Sequence, residues 1–121
     1  MTSMCKARTR AVGAAAIIEL SGEVDGSAAE VLTTAYGDAV SVGEARTVVL
    51  DFAAVDYINS TGIALIVSVL ARARAERRQV VASGLSAHYR EIFDITRLSD
   101  FIELFPSLDG AVSRVMSKIS R

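Results

Sequence analysis

The segment Thr47 to Phe52 (TVVLDF) constrains the fold more than any other. Its residues are β-branched and apolar in succession, whereas a strand with one wet face alternates apolar with polar. Such a strand has to be covered on both faces, which places it inside a layered α/β domain. The flanking chain supplies further strands. Ala15 to Leu20 (AAIIEL) is a short apolar strand, with Cys5 to Val12 pairing to it across a turn at Gly13 and a further turn expected at Ser21-Gly22. Gln79 to Ser83 (QVVAS) and Phe101 to Phe105 (FIELF) read as two more strands.

Helices alternate with these strands. Ser27-Ala28-Ala29-Glu30 has the form of a capping box, and behind it Ala28, Val31, Leu32, Ala35 and Ala39 keep one helical face, with Gly43 as a stop. A second helix starts at the Asn59-Ser60-Thr61-Gly62 junction and runs to about Arg78. A third spans Ser86 to about Arg97 with Tyr89, Ile92 and Phe93 inward. Ser107 caps a fourth, in which Leu108, Ala111, Val112, Val115 and Ile119 keep helical spacing. The order β-β-α-β-α-β-α-β-α predicts a mostly parallel sheet with right-handed crossovers, made mixed by the opening hairpin. No repeat, low-complexity stretch or linker interrupts residues 1–121, so one domain is expected.

Composition removes several function classes. The chain is 51% hydrophobic and 22% charged, enough to build a core, and its net charge of −1 argues against a nucleic-acid binder working through bulk electrostatics. The apolar run Gly62 to Ala71 is broken by Ser68 and falls short of the roughly 20 residues that cross a bilayer. Lys6, Arg8 and Arg10 precede no apolar signal core, and Cys5, the single cysteine, can form no internal disulfide, so a cytoplasmic setting is expected. With His88 the single histidine, a Cys/His metal site within one chain is excluded, and no cofactor is implied. Residues 19 to 56 carry eight acids against one base, Arg46. Arg72, Arg74, Arg77 and Arg78 then cluster around Glu76, which reads as the solvated last turn of a helix. No aromatic residue interleaves them as a nucleic-acid groove would require.

No catalytic constellation emerges. Ser60 is not set in a G-x-S-x-G elbow, a triad would have to recruit His88 from the start of a helix, and no glycine pattern forms a phosphate cradle. Ser60 is notable for another reason. It lies among three residues with N-cap chemistry between a strand and a helix, where a phosphoryl group would meet free amides and the positive end of the helix dipole. Either hydroxyl, Ser60 or Thr61, could serve as the cap. In the helix that follows, Ile63, Ile66, Val67 and Leu70 form a stripe expected to face the sheet, with Leu65 and Val69 nearly opposite. That outer pair either tucks under another helix or faces a partner, which could equally be a second copy of the chain.

The stretch Asp51 to Gly62 (DFAAVDYINSTG), the apolar helix after it, QVVASGL, EIFDITRL and the earlier Gly22-Glu23-Val24-Asp25 together resemble a STAS domain of the anti-anti-sigma factor type, in order along essentially the whole chain. The resemblance implies an anti-sigma factor antagonist that is not an enzyme. Its unphosphorylated form would bind an anti-sigma serine kinase of the histidine-kinase-like ATPase fold and free a sigma factor. Phosphorylation by that kinase would end binding, and a PP2C-type phosphatase would restore it. Carried over by position, the acceptor is Ser60, with Thr61 as second choice. The partner surface takes in Asp25, Asn59, Ser60, Thr61 and Gly62, with Leu65 and Val69 behind them. Gly62 is expected to allow close approach of the kinase. Asn59 departs from the aspartate common before the acceptor. Losing that carboxylate either eases accumulation of the phosphorylated form or weakens kinase recognition. The alternative is a STAS scaffold without a switch, in a stressosome-like assembly or as accessory subunit of a transport complex.

Overall fold

The computed structural model describes residues 4–41 and 45–119. Five strands, β1 (Lys6–Val12), β2 (Ala15–Val24), β3 (Thr47–Ile58), β4 (Gln79–Ser83) and β5 (Glu103–Phe105), form one sheet in sequence order. β1 pairs antiparallel to β2, and every later neighbour is parallel. The helices are α1 (Ala29–Ser41), α2 (Ser60–Ala75), α3 (Ala87–Ile95) and α4 (Leu108–Ile119).

Strand register divides the core in two. Ile17, Val49 and Val81 stand side by side across β2, β3 and β4 and meet Ala111 and Val115 of α4. Their neighbours Ile18, Leu50 and Ala82 point the other way, toward Leu32, Ala35 and Tyr36 of α1, Ile66 and Val69 of α2, and Phe93 of α3. Phe93 meets Phe52 edge-on, with centroids 6.2 Å apart. The doubly covered strand read from TVVLDF is therefore present, between a three-helix layer and a single-helix layer.

Several boundaries differ from expectation. Ser21-Gly22 is no turn. It lies inside β2 where the register with β3 shifts, and Gly22 takes a φ of +83° at the second shift. A glycine at positive φ signals a bulge as readily as a turn. The capping box is also replaced. Asp25 accepts from the Ser27 amide (2.9 Å) and hydroxyl (2.5 Å), so Ser27 donates rather than caps, and a short 3₁₀ turn (Gly26–Ala28) leads into α1. Val31 is only half-buried, whereas Tyr36 is fully buried. Gly43, the expected stop of α1, lies outside the described residues.

α2 ends at Ala75 rather than near Arg78. Glu76 caps it and Arg77 turns left-handed at φ +60°. Glu76 then gathers the cluster around itself: Tyr36 donates its hydroxyl (2.8 Å), and Arg72 and Arg78 pair with the carboxylate at 3.3 and 3.1 Å. Arg72 lies 4.6 Å over the Tyr36 ring, and Arg78 also donates to the Ala45 carbonyl. The cluster does lie on the solvated last turn of α2, and two of its members, Arg72 and Arg78, join Glu76 in a knot that ties α1 to α2. α3 ends at Ile95, and Arg97 is left-handed at φ +65°. Leu98–Asp100 forms a 3₁₀ turn, and of Phe101 to Phe105 only Glu103–Phe105 is strand, with Phe101 exposed.

Candidate functional site

Beyond Asp51, β3 has no register partner on β4 and continues alongside β2 alone. This two-stranded extension brings Val24 and Ile58, the last residues of β2 and β3, side by side. The Asn59 amide donates to the Val24 carbonyl (3.2 Å), and the Ile58 amide donates to the Tyr89 hydroxyl of α3 (2.9 Å). Both strand ends are held before the chain turns into α2.

Asn59 is the N-cap of α2. Its backbone is extended, its Oδ1 accepts from the Gly62 amide (2.8 Å), and its carbonyl accepts from Ile63 (2.9 Å). Neither Ser60 nor Thr61 caps the helix. The amide side chain supplies the same acceptor oxygen a carboxylate would, so capping tolerates the departure from aspartate. Ser60 is left as the first helical residue, exposed, its hydroxyl in no hydrogen bond among the described residues. Thr61 is also exposed and stands against Gly26, with its Cγ2 3.5 Å from where a β-carbon there would lie. The Asp25 turn therefore flanks the start of α2. The two Ser27 hydrogen bonds, the hydroxyl's foremost, hold the Asp25 carboxyl below its ordinary range and keep it ionised.

Gly62 is buried, and its role differs from the expectation. A β-carbon there would lie 2.0 Å from the Val24 carbonyl oxygen. Glycine lets α2 approach the end of β2 inside the domain. Of the stripe expected to face the sheet, Ile63, Ile66 and Leu70 pack against the core but Val67 is 43% exposed, while Gly62, Val69 and Ala73 are buried and Leu65 is half-buried against the core. Val69 thus gives its side chain to the core and not to an outer face. The free face behind Ser60 is instead Thr61, Ala64 and Ser68, at helical spacing. Their small size was the signal available, masked by the many apolar residues around them. Tyr57, half exposed and in register with Glu23, is a further neighbour not foreseen.

Other candidates lie apart from this tip or are closed. Cys5 is buried, and burial, followed by the nearby Asp25 charge, pushes its thiol up, away from the reactive thiolate. His88 is exposed and meets the Tyr89 ring edge-on at 4.9 Å. Among the described residues no group of three or more His, Cys, Asp or Glu side chains could hold a metal, and no helix is long and apolar enough to cross a membrane.

Comparison with known proteins agrees with this architecture. A family model described as "Mlab, STAS domain" matches residues 7–106. The chain belongs to the STAS domain family and to its anti-sigma factor antagonists. BtrV of Bordetella bronchiseptica, a candidate anti-sigma factor antagonist, is 37% identical over 87 residues, covering 72% of each chain. The anti-sigma-B factor antagonist of Listeria monocytogenes is 32% identical over 87 residues, 72% of this chain and 75% of that one. In fold, the chain is similar to the Bacillus antagonist SpoIIAA in both its forms. The unphosphorylated structure gives a TM-score of 0.74 at 20% identity, covering 92% of this chain and 96% of that one. The phosphorylated structure gives 0.70 at 21% identity, covering 90% and 98%.

Proposed function

We propose that this antagonist acts in the cytoplasm as a phosphorylation-controlled partner switch, with Ser60 as the phosphoryl acceptor. The observation that carries the reading is the freedom of Ser60: exposed at the first position of α2, with the cap already supplied by Asn59. A hydroxyl spent on capping would have to break that bond to react. This one does not.

In the unphosphorylated form, the tip of β2 and β3 and the small-residue face of α2 dock on an anti-sigma serine kinase. Asp25, Asn59, Ser60 and Thr61 meet it directly, while Gly62 and the packing of Leu65 and Val69 fix the helix they stand on. In phosphoryl transfer Ser60 Oγ bonds to the γ-phosphorus of the kinase's ATP, the bond from that phosphorus to the β,γ-bridging oxygen breaks, ADP departs and the hydroxyl proton is released. The phosphate adds roughly −1.5 to −2 charges. Within the domain it is tolerated, because the Ser60 and Thr61 amides and the dipole of α2 face it. At the interface it is not, because it stands beside the ionised Asp25 and must lose its water. A PP2C-type phosphatase resets the switch. Asn59 omits one negative charge that would otherwise adjoin the phosphate.

The test is site mapping. Incubation with the cognate kinase and ATP is expected to add one phosphate, found on Ser60 by fragmentation mass spectrometry and absent from Ser60→Ala. Phosphate on Thr61 in the wild-type chain, or full labelling of Ser60→Ala, contradicts the assignment.

A further inference from the structure

At the other end of α2 a groove of about 650 Å³ opens between the helix and the Leu98–Asp100 turn. Small-ligand sites span roughly 300–1,000 Å³. The groove exists because the chain departs from regular structure here: α3 stops at Ile95, Arg97 turns left-handed, and β5 begins only at Glu103. Leu70, Ala71, Val80 and Leu98 line it with aliphatic surface, Gln79, Thr96 and Asp100 add polar groups, and Val67 and Phe101 at its rim are 43% and 61% exposed.

Two arginines line this slot, Arg78 and Arg74, and only Arg74 is left without a carboxylate among the described residues. The Arg74 guanidinium lies 5.8 Å from the Phe101 ring centroid. Of the neighbouring arginines, Arg72 and Arg78 pair with Glu76, Arg97 pairs with Asp100, and Arg77 does not line the groove. We propose that the groove binds an aliphatic monocarboxylate, its chain between Val67, Leu70 and Leu98 and its head on Arg74. The planar fork of a guanidinium matches a carboxylate. A single negative charge fits better than a phosphate dianion, because Asp100 also lines the groove. Arg74 lies fourteen residues from Ser60, roughly 21 Å along the helix, so the site is independent of the switch.

Titration of isotope-labelled full-length protein with sodium decanoate and, separately, with 1-decanol tests the proposal by amide chemical shift. Decanoate is expected to shift Val67, Leu70, Leu98 and Phe101 saturably and to bind at least about tenfold more tightly than the alcohol. Arg74→Gln should keep the native spectrum and lose that advantage, while Ser60→Asp should bind decanoate as wild type does, so failure of the switch leaves this test intact. Equal binding of acid and alcohol, shifts that never saturate, or undiminished binding by Arg74→Gln overturns the proposal.

Discussion

At Asn59 a single amide oxygen does the work of a cap, and the residue after it is thereby left free. Asn59→Ala is expected to cost about 1 kcal/mol, and Asn59→Asp to stay within about 0.5 kcal/mol of wild type, in urea denaturation. A large loss in the aspartate variant would show that the amide nitrogen matters as well. Gly62 is less forgiving. Any side chain there meets the Val24 carbonyl, so Gly62→Ala should lose about 3 kcal/mol or more, read as a lower urea midpoint with an unchanged slope. Cys5 should react with a thiol reagent slowly in the native protein and rapidly after denaturation, since it is buried and its thiol is pushed up. At this scale the sequence was only partly legible. The chemistry of Asn59-Ser60-Thr61 was visible, but which residue caps depends on where the helix begins against Val24. That is a tertiary contact.

Among the elements, the interlock of α1 and α2 carries its own pH signature. Tyr36 donates to Glu76, and burial, the hydrogen bond to Glu76 and the charge of that carboxylate raise its phenol to about 12. The neutral phenol is thus favoured in the folded state, and its contribution is fully present below pH about 10 and lost as pH climbs toward 12. Glu76 is held low, first by Tyr36 and then by Arg78, so its contribution is present at neutral pH and fades in acid. Tyr36→Phe should therefore lower the melting temperature at pH 7, and its deficit relative to wild type should shrink between pH 10 and 12. A deficit constant across that range would detach the knot from stability. Element boundaries were read well where period and punctuation agreed, as at Gln79–Ser83, and badly where an element is set by its neighbours. Helical spacing puts Val67 with Ile63, Ile66 and Leu70 on the sheet side and Val69 opposite, but apolar residues ring α2 and the assignment of these two valines is reversed in the fold. Only the depth of the sheet beneath decides that Val69 is buried and Val67 is at a groove. FIELF looked like a strand because its residues favour one, yet Phe101 stands outside.

The whole molecule is a mixed sheet with helices on both faces, and that much followed from TVVLDF and the alternation of elements around it. What the fold adds is the paired extension of β2 and β3, which carries Asp25 and Ser60 to one tip from positions 35 residues apart. The central claim is that a charge at Ser60 ends partner binding. The most direct measurement compares the affinities of Ser60→Ala and Ser60→Asp for the anti-sigma kinase in a calorimeter. The alanine variant should bind as the unphosphorylated wild type does, and the aspartate variant at least about a hundredfold more weakly, the cost of desolvating one unpaired charge. Equal affinities would contradict the switch and leave the chain as a STAS scaffold.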